Sequence, residues 1–177
     1  MGEQNSGKLN RLLASLGDTG LVSSRRLRTL GYQSSLVSRY VASGWLVSPA
    51  RGVYQRQGAY LQWAGVVSSL QMGEGEPLHV GGRFALALQG HEHYLRLGDA
   101  SNVTLYGPRQ PPGWLFRLPL RERFEYLGKG PFDLSTVPFT SDVSASVLAA
   151  QGLVWHEAAG AGVLLVCSTP EREADYT

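Results

Sequence analysis

The sequence predicts an α+β protein, and two features of its pattern predict it. The run from Ser23 to Arg56 reads as a helix, a glycine turn, a second helix and a basic hairpin. Beyond a break at Gly73-Glu74-Gly75-Glu76-Pro77 the pattern changes from helical to mixed helix and strand, and formal charge changes sign along the chain. The first feature is the element order of a winged helix-turn-helix. The predicted arrangement is a winged helix-turn-helix over residues 1–73 and a small mixed α/β domain over residues 78–177.

Leu9 to Leu16 have the spacing of a short helix. Ser23 can cap the next one by accepting a hydrogen bond from a free backbone N–H, and Val22 and Leu27 stand at the spacing of a hydrophobic staple. Gly31 then ends that helix, and Tyr32-Gln33-Ser34 restarts the chain within a few residues. In the second helix Leu36, Val37, Tyr40 and Val41 form an apolar stripe, which leaves Gln33, Ser35, Ser38, Arg39 and Ala42 on the other side. That outward face is small, polar and nearly free of acid, and such a face can enter a DNA major groove.

After Gly44, residues Trp45 to Gln55 predict two short strands around the turn Pro49-Ala50-Arg51-Gly52, with Arg51 at the tip. The division of labour follows from the chemistry of a duplex. Gln33, Ser35 and Arg39 are placed near base edges, with Ser34 and Ser38 on the same helix able to reach phosphate. Arg25, Arg26, Arg28 and Arg51, with Arg56 near the hairpin, are expected to meet phosphate or the minor groove and to add affinity more than sequence choice.

Charge distribution supports this assignment. The whole chain carries only +2, but residues 1–60 hold eight basic residues against two acidic ones, or +6, and the remainder holds eight against twelve, or −4. The basic end coincides with the predicted reading head. At 177 residues and 43% apolar composition the chain can bury a proper core. No apolar run reaches the ~18 residues that a membrane span needs, and the polar start Met1-Gly2-Glu3-Gln4-Asn5 is unlike a secretory signal, so a cytoplasmic protein is expected. The single cysteine, Cys167, sits in an apolar run and reads as a buried small hydrophobe.

Tyr60 to Met72 predict a further helix through Leu61, Ala64, Val67 and Leu70, before the glycine and proline break that is taken as a linker. Gly81 to Gly90 then reads as a short buried helix between glycines. Strands are expected at Val103–Tyr106, Trp114–Leu118, Phe124–Leu127, Val137–Phe139 and Gly162–Val166, with Ser144 to Gln151 unassigned. Ser168-Thr169-Pro170-Glu171 is a helix start with few residues after it, which predicts a second domain truncated at its C-terminus.

These residues carry a resemblance. Gly31-Tyr32-Gln33-Ser34-Ser35-Leu36-Val37-Ser38, Gly44-Trp45-Leu46-Val47, Arg51-Gly52-Val53-Tyr54, His79-Val80-Gly81-Gly82, Ala85-Leu86, Gln89-Gly90-His91 and His93-Tyr94-Leu95 look like the AbiEi family of type IV toxin-antitoxin system antitoxins, and Ser168-Thr169-Pro170-Glu171-Arg172 is similar to that family's next helix start. The resemblance implies a winged-helix domain that binds the operator and represses its own operon. It also implies a C-terminal part that opposes a nucleotidyltransferase-like toxin, in phage defence, without a stable complex. Binding to double-stranded operator DNA is expected as a dimer or as two monomers on repeated sites.

Catalytic and metal motifs do not accompany this pattern. His91 and His93 flank Glu92, with His79 upstream, but an i, i+2 pair diverges on a strand or a helix, unlike the i, i+4 pair of a helical zinc site. His91 and Tyr94 read instead as hydrogen-bonding groups at a helix–strand junction. Gly81-Gly82 lacks a Walker-type lysine or a dinucleotide fingerprint, so no cofactor is expected and no enzymatic activity follows. Two alternatives from other classes stand beside the repressor: the DNA-targeting module of a larger nuclease, and a winged helix that binds protein.

Overall fold

In the computed structural model, which describes residues 2–16, 20–90, 102–128, 145–150, 152–158 and 163–171, the chain opens with α1 (Gly2–Leu16), a helix that begins well ahead of the predicted Leu9. Leu9, Leu12 and Leu16 line its buried side. Three short elements follow: β1 (Leu21–Ser23), α2 (Ser24–Thr29) and α3 (Ser34–Ala42). The hairpin β2 (Leu46–Ala50) and β3 (Val53–Arg56) completes a three-stranded antiparallel sheet in the order β1-β3-β2. This is the winged helix-turn-helix that the element order predicts. Its core joins Leu9, Leu12 and Leu16 to Val22, Leu27, Tyr32, Leu36, Val37, Tyr40 and Leu46. The Tyr32 hydroxyl ties the turn to α1 by donating to the Lys8 carbonyl at 3.0 Å.

Both helix ends of the motif close in the same way. Gly31 has φ +82° and donates to the Arg28 carbonyl while Tyr32 N–H reaches back to Leu27; Gly44 has φ +72° and donates to Val41 while Trp45 N–H reaches Tyr40. These paired bonds are Schellman closures, which need a residue in the left-handed region just past the helix. Val41 departs from the predicted apolar stripe: it is exposed, because Leu36, Val37 and Tyr40 already fill the inward side of this nine-residue helix. Pro49 also departs from expectation. It lies within β2 rather than in the turn, at an irregularity between Val47 and Ala50 where a strand tolerates a residue without N–H.

α4 (Trp63–Ser68) runs into a π-helical turn at Ser69–Gly73, in which Glu74 N–H bonds the Ser69 carbonyl. The predicted helix therefore starts at Trp63 rather than Tyr60. The segment expected as a linker is packed: Glu76 and Pro77 are buried, and both glutamates reach the winged helix.

The rest builds a mixed five-stranded sheet in the order β6-β5-β4-β8-β7, from β4 (His79–Gly81), β5 (Asn102–Tyr106), β6 (Arg123–Leu127), β7 (Leu153–Ala158) and β8 (Val163–Ser168). β4 pairs antiparallel with β5 and parallel with β8, β5 pairs parallel with β6, and β7 and β8 form an antiparallel pair. α5 (Gly82–Leu88) and α6 (Ala145–Ala149) accompany it. The central core runs through both halves of the chain. Leu21 and Val53 of the first sheet pack in one cluster with Val67, Leu70, Leu78, Val80, Val103, Leu105 and Cys167.

Two strands, β4 and β7, were not foreseen, since three residues and a Trp-His-Glu interruption leave little alternation to read. Trp114–Leu118, expected as a strand, contains a 3₁₀ turn at Leu115–Arg117. Its neighbours explain this: prolines on both sides leave too few residues to pair, and adjacent Trp114 and Leu115 are both buried, which a strand's alternating faces do not allow. The predicted strand at Val137–Phe139 lies outside the described residues. Pro170 and Glu171 are helical, as the capping residues suggest, and the residues after them are likewise outside.

Candidate nucleic-acid interface

The helix-turn-helix surface is built outward from Ser23. With φ −79° and ψ 156° it caps α2, and its Oγ accepts the Arg26 N–H at 3.0 Å. That short helix carries Arg25 and Arg28 exposed and Arg26 half-buried, with Leu27 as its buried anchor. Arg28 leans back along its own helix, Nε donating to the Ser24 carbonyl at 3.4 Å. Arg25 does something the sequence did not reveal: its Nη2 lies 3.2 Å from Glu76 Oε1, in the segment after α4.

Apart from Val41, α3 presents the two sides that its periodicity predicts. Leu36, Val37 and Tyr40 face the core, while Gln33, Ser34, Ser35, Ser38, Arg39 and Ala42 are exposed. Gln33 caps the helix by backbone geometry alone, so its amide is left to solvent. Among the described residues no ion pair engages Arg39 or Arg51. Burial pushes the Tyr40 hydroxyl above its ordinary pKa of 10.0, helped by Tyr32 and opposed by the neighbouring Arg39, so the phenol stays neutral beneath the exposed face.

The wing turn is Arg51-Gly52, between paired Ala50 and Val53, with Arg51 exposed at the tip. Gly52 links the tip to the helix: its carbonyl accepts both the Ser24 N–H at 2.8 Å and the Ser24 hydroxyl at 3.1 Å. Ser48 Oγ ties the base of the turn by donating toward the Ala50 and Val53 carbonyls. Arg56 is exposed but stands at the far end of β3, opposite Leu46, roughly 15 Å of extended chain from Arg51. The two are therefore not one cluster, although both lie on the hairpin.

Sequence reasoning missed three residues here, Glu74, Glu76 and Arg109. Glu74 accepts two hydrogen bonds from Ser23, and Glu76 Oε2 lies 3.9 Å from Arg109 Nη2. No periodicity or spacing marks them. Of the histidines considered as ligands, His79 is buried in β4 and stacks on Tyr106 at 5.5 Å; His91 and His93 lie outside the described residues. No described helix is long and apolar enough to cross a membrane.

Comparison with known families finds a match to the family model described as "Transcriptional regulator, AbiEi antitoxin N-terminal domain", over residues 5–97. No curated protein matches the chain.

Proposed function

The chain belongs to the AbiEi antitoxin N-terminal-domain family of transcriptional regulators, and from that premise we propose that it is a DNA-binding autorepressor and antitoxin of a type IV toxin-antitoxin system. α3 reads the operator in the major groove through Gln33, Ser35 and Arg39, with Ser34 and Ser38 at its flanks. Arg25, Arg26, Arg28, Arg51 and Arg56 hold phosphate. Its counterpart is a nucleotidyltransferase-like toxin, opposed without a stable complex, in the cytoplasm.

The observation that carries this reading is the two-sidedness of α3. One helix buries Leu36, Val37 and Tyr40 and turns an acid-free polar face with an arginine to solvent, beside a wing whose tip is also an arginine. A polar, acid-free face of this kind matches a groove lined by base-edge donors and acceptors.

Fluorescence anisotropy with labelled duplexes tests it. Binding to the protein's own promoter region is expected to exceed binding to a shuffled duplex by about three orders of magnitude at physiological salt. Equal affinity for the two removes the operator-specific reading, and absence of binding to either removes the DNA-binding function altogether.

A further inference from the structure

β6 forms one edge of the second sheet: among the described residues it pairs with β5 alone, in an unbroken register from Arg123 to Leu127. Its open side presents backbone N–H and C=O groups, and neither a proline nor a bulge blunts it, so it can take up a further strand. Phe124 and Tyr126 are half-buried against the core, while Arg123, Glu125 and Leu127 are exposed on the opposite face. Among the described residues no ion pair engages Arg123 or Glu125. At the start of the strand lies a groove of about 350 Å³ whose apolar wall is Phe116, Leu118, Leu120 and Phe124, with Phe116 45% exposed.

The charges of this edge select its partner. Two copies related by a two-fold axis normal to the sheet meet as antiparallel strands, and directly opposite residues share a face, so the axis is centred on a residue. Centred on either end, Arg123 or Leu127, it pairs a single residue of the strand. Centred on Glu125 it sets glutamate against glutamate, which is repulsive, and centred on Tyr126 it leaves Arg123 and Glu125 without opposite charges among the strand residues. Centred on Phe124 it sets Arg123 of each copy against the partner's Glu125, and Phe124 against the partner's Phe124. Because Phe124 also lines the groove, that register joins the two grooves across the axis into one apolar strip. An uncharged strand on this edge would leave both ionic groups without a counterpart.

We propose that β6 is the contact of a two-fold dimer of this chain, with reciprocal Arg123 and Glu125 ion pairs deciding the register. The pairing continues the five-stranded sheet into its copy. It does not depend on the reading of the winged helix as a duplex-binding head, and its test contains no DNA.

Sedimentation equilibrium of the full chain tests it. The wild type is expected to approach twice its 19.2 kDa as concentration rises, whereas Arg123→Glu and Glu125→Arg should each stay at 19.2 kDa, since each sets like charges opposite one another. Mixed in equal amounts, the two variants should recover the doubled mass, because each then supplies the charge that the other lacks. The chain carrying both substitutions should pair with itself. Variants that had lost the dimer by misfolding would not recover it on mixing. A wild-type chain that stays at 19.2 kDa throughout overturns the pairing and leaves β6 to a strand of another protein. A dimer that survives both single substitutions, or a mixture that stays monomeric, overturns β6 as the contact.

Discussion

Glu74 holds Ser23 with both carboxylate oxygens: Oε1 accepts the Ser23 N–H and Oε2 accepts the Ser23 hydroxyl, each at 2.9 Å. The same hydroxyl oxygen accepts the Arg26 N–H that starts α2. The cap of a helix-turn-helix element is thus itself fixed from the end of α4, and the neighbouring Leu21 N–H is taken by Ser69 of the π-helical turn at 2.8 Å. The start of α2 is thus tied to the segment that connects to the second sheet.

Glu74→Ala is therefore expected to destabilise the protein by about 1–3 kcal/mol, since it strips the acceptor from a buried backbone N–H. Glu74→Gln, which retains one acceptor oxygen, should cost less. Urea denaturation with an unchanged m-value measures both.

Gln71 is fully buried and behaves as a strand residue made from a side chain. Its Oε1 accepts the Val166 N–H at 3.0 Å, while its Nε2 donates to the Val166 carbonyl at 3.1 Å and to the Leu78 carbonyl at 2.8 Å. Gln71→Leu keeps the volume but leaves these groups unpaired, and a loss of about 2–4 kcal/mol is expected, read from the urea midpoint. Little change would show that water replaces the amide.

Two glycine substitutions isolate backbone strain from packing. A Cβ at Gly31 or at Gly7 would touch nothing within 4 Å, but Gly31 has φ +82° and Gly7 lies within α1. Gly31→Ala should cost about 1–2 kcal/mol, and Gly7→Ala should stabilise by about 0.5–1 kcal/mol. Thermal denaturation of the pair checks the contrast in sign.

Arg51→Ala should weaken binding to promoter and random duplexes alike and lower the salt slope by about one contact. Gln33→Ala and Ser35→Ala should mainly alter sequence preference, by about 1–3 kcal/mol at the affected base pair. Equal effects of both groups on both duplexes would show that the reading face is elsewhere.

Burial raises the Tyr126 pKa above 10.0 in the folded protein. A folded state that holds its proton more tightly is fully favoured below the unfolded pKa and loses that advantage as pH rises through the folded value, so stability should decline above about pH 10. Tyr40 contributes in the same direction. Tyr126→Phe removes its part of the alkaline decline, at a cost of about 0.5–1.5 kcal/mol for the hydrogen bond it donates to the Gly107 carbonyl. Stability curves on either side of pH 10 separate the two effects.

Much of the first half was legible because its signals are local. Ser23, Gly31 and Gly44 act on the residues beside them, and the alternation of Leu36, Val37 and Tyr40 with Ser35, Ser38 and Arg39 lies within one short helix. The second half was less so. β4 has three residues, and its neighbours in the sheet are β5 and the distant β8, so nothing close by in sequence announces it.

The sequence by itself determined the winged helix-turn-helix, the polar outward side of α3 and the arginine at the wing tip, since caps, turns and helical period act over a few residues. Tertiary structure alone decided that Ser23 is held by Glu74, 51 positions away, that Gln71 pairs with Val166, 95 positions away, and that Arg25 shares Glu76 with Arg109. The reason is physical. An apolar residue needs only a side to face, which periodicity records, whereas a polar or charged side chain needs a particular partner, and that partner is chosen when distant segments pack together.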